Sequence, residues 1–307
     1  LPINGHRRDA CATLPAGRLE PRPPDRAGRW NCLLQGRGRV KPGETLQLVA
    51  PQHGTENGHE PGPRHIRLLE RHENGEWEVE LSGGDDHDTL TRFGFAPLPP
   101  YIKRAAGAGD RTSDLARYQT VFARHAGSIA APTAGLHFTP DLFDRLKARG
   151  VRKTFVTLHV GVGTFKPVTA TRVEDHTMEP ERYSIDADAA ERIGVFERRR
   201  EKEASTGPRL VAVGTTACRT LETLARRDRE SPDSPLKAQS GVAGLFIYPS
   251  FPFQLVDALI TNFHLPRGTP LMLTCAFAGR ELVLHAYETA KKEGYRFYSY
   301  GDAMLIL

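Results

Sequence analysis

A cluster of prolines, Pro97-Leu-Pro-Pro-Tyr101, constrains this chain more than any other feature, because it separates two stretches with different rhythms. Proline fixes φ, removes a backbone donor and restricts the residue before it, so neither a strand nor a helix runs through such a cluster. Ahead of it the chain alternates in short runs: Trp30-Asn-Cys-Leu-Leu34, Thr45-Leu-Gln-Leu-Val49, Arg64-His-Ile-Arg-Leu-Leu69 and Glu76-Trp-Glu-Val-Glu-Leu81. Turn signals bound these runs at Lys41-Pro-Gly-Glu44, Glu73-Asn-Gly-Glu76 and Ser82-Gly-Gly-Asp85. Asn74-Gly75, between two alternating runs, predicts a two-residue hairpin turn. The pattern predicts that residues 1–98 form a small antiparallel β-barrel or sandwich. Five of the six histidines in this stretch (His53, His59, His65, His72, His87) lack metal-ligand spacing and read as surface residues.

After the prolines, helical and strand signals alternate, which predicts that residues 99–307 form an α/β domain with at least partly parallel strands. Thr139-Pro-Asp-Leu-Phe-Asp-Arg-Leu-Lys-Ala-Arg-Gly150 carries a helix cap, a proline in the first turn and a glycine stop. Strands are predicted over Thr154–Val160, Arg209–Val213, Gly244–Tyr248 and Val256–Ile260. Helices are predicted over Ala187–Glu203, from Thr215 to Arg226, over Leu271–Ala278 and over Glu281–Glu293. The polar, proline-punctuated stretch Asp228–Ser240 reads as a surface loop.

Composition narrows the class. Hydrophobic residues at 39% and charged residues at 26% suit a globular chain and argue against bulk disorder. The longest apolar stretch, Leu245–Ile260, is broken by Pro249 and Pro252 and falls short of the roughly 20 residues of a membrane helix. No apolar core of a signal peptide opens the chain, and the four cysteines form no Cys-x-x-Cys pair. A cytoplasmic protein without a metal site is therefore expected. Residues 1–100 carry 13 basic and 14 acidic side chains and residues 101–307 carry 29 and 23, a bias that permits a polyanionic partner and that many soluble proteins share.

Ligands of α/β sheets gather in loops at the carboxyl ends of strands, and four such loops are rich in polar groups. Pro132-Thr-Ala-Gly-Leu-His-Phe-Thr139 puts Thr133 and His137 ahead of a helix N-terminus, where free N–H groups favour anions. Leu158-His-Val-Gly-Val-Gly-Thr-Phe165 carries His159, Gly161, Gly163 and Thr164, and its glycines let backbone approach a ligand; Lys166 replaces the third glycine of a dinucleotide fingerprint. Val213-Gly-Thr-Thr-Ala-Cys-Arg-Thr-Leu-Glu222 runs strand, glycine, two hydroxyls and helix, a cradle for a carboxylate or phosphate that includes Thr215, Thr216, Arg219 and Glu222. Asp257-Ala-Leu-Ile-Thr-Asn-Phe-His-Leu-Pro266 ends a buried strand on Thr261, Asn262 and His264. Each has a plainer reading: a lone strand-end histidine is more often structural than catalytic, and Gly-Thr-Thr before a helix is more often a cap. Asp175-His-Thr-Met-Glu179 matches no zinc signature, and Cys218 reads as buried and inert. Serine-hydrolase elbows and P-loops are missing. The residues therefore point to an α/β enzyme with a polar, histidine-bearing cleft for an anionic or nucleotide-like ligand.

These loops, with Phe277-Ala-Gly-Arg-Glu281 and Gly301-Asp-Ala-Met-Leu-Ile306, resemble in order the S-adenosylmethionine:tRNA ribosyltransferase-isomerase family of queuosine biosynthesis. Residues 30–98, including Gly38-Arg-Val-Lys-Pro-Gly-Glu44, look like that family's inserted β-barrel. The resemblance implies a main α/β domain of barrel-like shape interrupted by a small antiparallel β-barrel. It implies a cytoplasmic, monomeric enzyme that consumes S-adenosylmethionine as a ribosyl donor, with no metal. The partner implied is tRNA carrying 7-aminomethyl-7-deazaguanine (preQ1) at the wobble position; the products are epoxyqueuosine-tRNA, methionine and adenine.

Under that resemblance a base removes a proton beside the sulfonium and an acid assists adenine departure, and neutral histidine suits both. His159 and His264 are the first candidates, with His137 and His176 in reserve. Thr215, Thr216 and Arg219 are candidates to hold the methionine carboxylate. Glu179, Glu222 and Asp302 are candidates for ribose hydroxyls or amines, and Lys103, Arg104, Lys166 and Arg280 for tRNA phosphates. The chain opens near the start of the family's barrel, so the family's upstream segment is expected to be absent. A catalytically impaired, RNA-binding remnant of the family is the alternative.

Overall fold

The computed structural model describes residues 3–7, 10–14, 28–32, 34, 40–49, 64–73, 75–82, 88–89, 93–94, 96, 98–99, 101–102, 111–125, 127–128, 130–161, 168–202, 207–228 and 236–307. The chain divides into two compact units, residues 1–119 with 127–130, and residues 120–126 with 131–307.

The first unit is built on six strands: β1 (Ile3–Arg7), β2 (Ala10–Leu14), β3 (Arg29–Cys32), β4 (Thr45–Val49), β5 (His65–Arg71) and β6 (Trp77–Ser82). They form one antiparallel sheet in the order β2-β1-β4-β5-β6-β3. Among the described residues no pairing joins the end strands β2 and β3, so the sheet is open where a closed barrel was expected. The alternation read from the sequence sets the register. Ile66 pairs with Leu81, Leu68 with Val79 and Leu46 with Ile66. All five point into a core shared with Trp77 and Phe93. Strands β5 and β6 join as a hairpin, but one residue wider than the two-residue reading. His72 N–H donates to Glu76 O at 2.7 Å, with three residues between them and Gly75 at φ +86°; Asn74 lies outside the described residues. A three-residue loop ending on a left-handed glycine is the next commonest hairpin solution. Helix α1 (Arg111–Arg117) also belongs to this unit.

The second unit is mixed α/β. One sheet has the order β10-β8-β7, from β7 (Thr157–His159), β8 (Glu181–Ile185) and β10 (Gln239–Ala243), and is antiparallel. The other has the order β12-β11-β9, from β9 (Val211–Val213), β11 (Ala258–Asn262) and β12 (Ala303–Ile306). Here β9 and β11 run parallel and β12 antiparallel to β11. Among the described residues five α-helices accompany them: α2 (Pro140–Ala148), α3 (Ala187–Lys202), α4 (Thr215–Asp228), α5 (Thr269–Ala278) and α6 (Arg280–Lys292). Thr139 caps α2 by accepting from Leu142 N–H at 3.2 Å, and Gly150 closes that segment at φ +76°, as the sequence predicted.

Two readings shift. The strand expected at Gly244–Tyr248 is not one; the pairing segment lies just before it, at β10, where Ser240 faces Ser184 and Val242 faces Arg182. Leu245 and Ile247 instead pack into the core around Leu221, Leu255 and Leu259. The partner strand, not the intrinsic apolarity of the segment, decides where a ladder forms. The closing strand β12 was not anticipated; it completes the edge of β11, with Asn262 opposite Ala303.

Candidate active site

The carboxyl ends of β9 and β11 lie side by side because Ile260 pairs with Val213 and Gly214 N–H donates to Ile260 O at 2.8 Å. Gly214 turns the chain at φ +94°, and a Cβ there would lie 3.9 Å from Ala134 Cβ. The 3-10 turn Thr133–His137 therefore packs beside both strand ends. Three of the four polar loops read from the sequence meet here for a topological reason: parallel neighbours present their carboxyl ends on the same edge.

The turn brings His137 Nε2 to 3.2 Å from the Asn262 side-chain nitrogen, which also donates to Tyr298 O at 3.2 Å. Asn262 is buried while His137 is exposed. Desolvation lowers the His137 pKa below its ordinary value; the Asp302 carboxylate opposes the shift and Arg296 reinforces it. Asp302 accepts from Arg296 N–H at 2.7 Å, which with the Arg296 side chain holds its carboxyl below the usual range. Two residues beyond Asn262, the His264 ring nitrogen Nε2 lies 2.6 Å from Thr261 Oγ1, and His264 N–H donates to the Tyr287 hydroxyl at 2.8 Å. Burial of the imidazole holds the His264 pKa down at about 4.

A small pocket opens beside this cluster. Glu181, Thr215, Thr216 and Arg219 form its polar wall, and Met178, Phe246 and Leu273 are among its apolar lining. Arg219 and Glu181 make a buried ion pair across it, with Arg219 Nε left without a hydrogen-bond partner. His176 stands edge-on to Phe246, one of the lining residues, with ring centres 4.8 Å apart. A concavity with an apolar lining and a few convergent polar groups is what a small-molecule site requires.

A model of the family described as queuosine biosynthesis protein matches residues 5–306. This chain belongs to that family. It is similar to the S-adenosylmethionine:tRNA ribosyltransferase-isomerase of Pelobacter propionicus, 47% identical over 281 residues, 91% of this chain and 74% of the relative. The enzyme of the same name from Heliobacterium modesticaldum is 44% identical over 304 residues, 99% of this chain and 80% of the relative. A crystal structure titled S-adenosylmethionine tRNA ribosyltransferase, from Thermotoga maritima, covers the whole chain and 78% of that protein at 32% identity and a TM-score of 0.42.

For a chain of the queuosine biosynthesis protein family, the remaining candidates sort by place. Glu222 is fully buried and accepts from the backbone N–H groups of Gln254, Leu255 and Val256 at 2.9–3.0 Å. That duty removes it from the ligand-binding candidates. Arg219 is committed to Glu181, a partner 38 positions away with no sequence signal, so a ligand carboxylate would have to share it. His159 pairs with Arg182 across β7 and β8. Cross-strand partners share a face, and Arg182 is exposed while Glu181 beside it is buried. His159 thus lies on the face opposite Glu181 and is not brought into the cluster. Burial, which holds His264 neutral down to about pH 4, disfavours it as an acid near pH 7. Glu179 and Arg280 are exposed, the latter next to Cys275; Gly161 has open space where a Cβ would stand. Thr133 and Asp302 sit at the cluster's edge through Ala134 and His137. Cys218 is fully buried and burial raises its pKa, as expected of an inert thiol. Gly163, Thr164, Lys166, Lys103 and Arg104 lie outside the described residues.

Sequence reasoning missed Glu181, Tyr287, Arg296 and Tyr298. Only Tyr298 carries a signal, since it lies just ahead of the quoted Gly301-Asp motif. Among the described residues no group of three or more His, Cys, Asp or Glu side chains is placed to hold a metal, and no helix is long and apolar enough to cross a membrane.

Proposed function

We propose that this chain transfers and isomerises the ribosyl group of S-adenosylmethionine onto tRNA, the reaction for which its relatives are named. The observation that carries the reading is the convergence of His137, Asn262, Thr215 and Thr216 at one strand-end edge, beside a pocket with an apolar wall. In the finer form, the accepting base is preQ1 at the wobble position, and epoxyqueuosine-tRNA, methionine and adenine are the products. A monomer working in the cytoplasm, with the open antiparallel sheet of the first unit as the family's inserted domain, goes with it.

The chemistry distributes over this chain's own groups. S-adenosylmethionine supplies the ribosyl group and is consumed. Thr215, Thr216 and the unpartnered Nε–H of Arg219 offer hydrogen bonds to its amino-acid end, and Met178 and Phe246 offer an apolar surface. Reaction requires a proton to leave the carbon beside the sulfonium and adenine to leave with hydrogen-bond support. His137, in the strand-end cluster, and His176, edge-on to the pocket residue Phe246, are the imidazoles nearest to hand, and the depressed pKa of His137 favours its neutral form.

The deciding experiment is chromatography of adenine released from S-adenosylmethionine, with and without tRNA bearing the aminomethyl-deazaguanine base. Release only in its presence is expected. A folded sample that binds this tRNA and releases nothing would establish the RNA-binding remnant instead. His159→Ala, away from the cluster, should retain adenine release; its loss would return that histidine to the site.

A further inference from the structure

We infer that Asn262 is a positioning residue that locks His137 as the neutral Nδ1–H tautomer, so that His137 meets the ligand as a hydrogen-bond donor and not as a base. The inference rests on the reading of this cleft as the ligand site.

Asn262 ends β11 and is 2% exposed, so its amide cannot turn out into solvent. Its nitrogen has two N–H groups and two neighbours at 3.2 Å, Tyr298 O and His137 Nε2. The Tyr298 carbonyl is a pure acceptor held rigidly in place. Tyr298 sits at φ +72°, its N–H donates to Phe263 O at 2.9 Å, and its carbonyl also accepts Gly301 N–H at 3.0 Å. Around it the segment 296–302 closes on itself, with Asp302 N–H donating to Arg296 O at 2.7 Å. Only glycine permits that closure at 301, since a Cβ there would stand 2.4 Å from Arg296 O and from the Phe297 carbonyl carbon. Turning the Asn262 amide over would set its oxygen against the Tyr298 oxygen, acceptor to acceptor. The amide nitrogen therefore faces Tyr298, and its second N–H is left for His137.

His137 Nε2 must then offer its lone pair, which places the ring proton on Nδ1. Protonating Nε2 would bring two N–H groups together, so Asn262 opposes the imidazolium. Desolvation and Arg296 act in the same sense; Asp302 is the group favouring charge. Asn262 Oδ1 is buried without a partner, so the two contacts of its nitrogen are what orient the amide. The rest of His137 is exposed at the end of its turn, so the Nδ1–H edge is open to an acceptor atom, a ring nitrogen or an oxygen of the ligand.

The test is a long-range proton–nitrogen NMR spectrum of the full 15N-labelled chain near pH 7.5, with His137 assigned by its loss in His137→Gln. A protonated Nδ1 and a bare Nε2 are expected; a protonated Nε2 overturns the inference. In Asn262→Asp a carboxylate replaces the donor, so the proton should move to Nε2 and the His137 titration midpoint should rise by about one unit or more. An unchanged tautomer and midpoint in that variant also overturn it, and if the variant does not fold the wild-type spectrum alone decides. Adenine release by folded Asn262→Asp should fall about 100-fold with KM for tRNA unchanged, and a normal rate counts against the inference. Nδ1–H in a chain that releases no adenine sinks the functional reading and leaves the tautomer assignment standing.

Discussion

The strands of the first unit bury Leu46, Ile66, Leu68 and Val79 and little that is polar, Glu78 and Thr89 being its fully buried polar residues among those described. The second unit sinks Glu181, Arg219, Glu222, Thr261, Asn262 and Thr274 instead. An apolar core is stabilised by area removed from water and tolerates any side chain of suitable shape. Buried polar groups are stable only when partnered, so each imposes a particular geometry on its neighbours. The contrast explains why the candidate chemistry lies in the second unit: orienting a histidine demands fixed donors and acceptors, and these are what that unit buries.

The largest expected effect comes from the polar side of that contrast. Glu222→Ala strands three backbone donors at Gln254, Leu255 and Val256, at about 1–3 kcal/mol for each donor left without a partner. Denaturant unfolding should show the second unit collapsing by roughly 4 kcal/mol or more; a loss below about 1 kcal/mol would break the comparison. Leu68→Ala, in the apolar unit, should cost roughly 2–5 kcal/mol, and hydrogen exchange should confine the loosening to β4, β5 and β6. Protection lost equally around β11 would contradict independent cores.

Acid sharpens the difference further. His264 holds its proton only below about pH 4 when folded, against an ordinary value of 6.5, so the folded chain binds fewer protons in between. Its contribution is therefore complete above about pH 6.5 and is lost as the pH falls toward 4, on the order of 2 kcal/mol given that the residue is partly exposed. A stability–pH curve of His264→Gln should be flatter in that window than the parent's; parallel curves would rule the group out. Smallest is Thr139→Ala, which removes the α2 cap and should cost about 1 kcal/mol by thermal unfolding, with Thr139→Ser restoring most of it.

Much of this was legible beforehand. The alternation over Thr45–Val49 and Trp77–Ser82, the Thr139-Pro140 cap and the strand–Gly–Thr–Thr–helix at Val213 each state a local rule, and the chain obeys it. The loops carrying Thr133, His137, Thr215, Thr216, Thr261 and Asn262 were also found, because a polar group at a strand end breaks an otherwise apolar run. What failed was assignment of roles. His159 and His264 look alike in sequence, each a histidine in a strand-end motif. Yet one faces away across from Arg182, and the other is desolvated against Thr261 and Tyr287.

The sequence by itself determined where β3–β7, β9, β11 and α2–α6 lie, which residues form the apolar face of β5 and β6, the glycine turns, and the family. Those depend on near-neighbour periodicity, capping and backbone sterics, all of which are written within a few residues. Tertiary structure alone decided that Arg219 meets Glu181, that Glu222 serves the backbone at 254–256, and that His137 meets Asn262 across 125 positions of chain. A side chain's protonation and its freedom to bind depend on what surrounds it in space, and hydrogen bonds and desolvation act between atoms that only folding brings together.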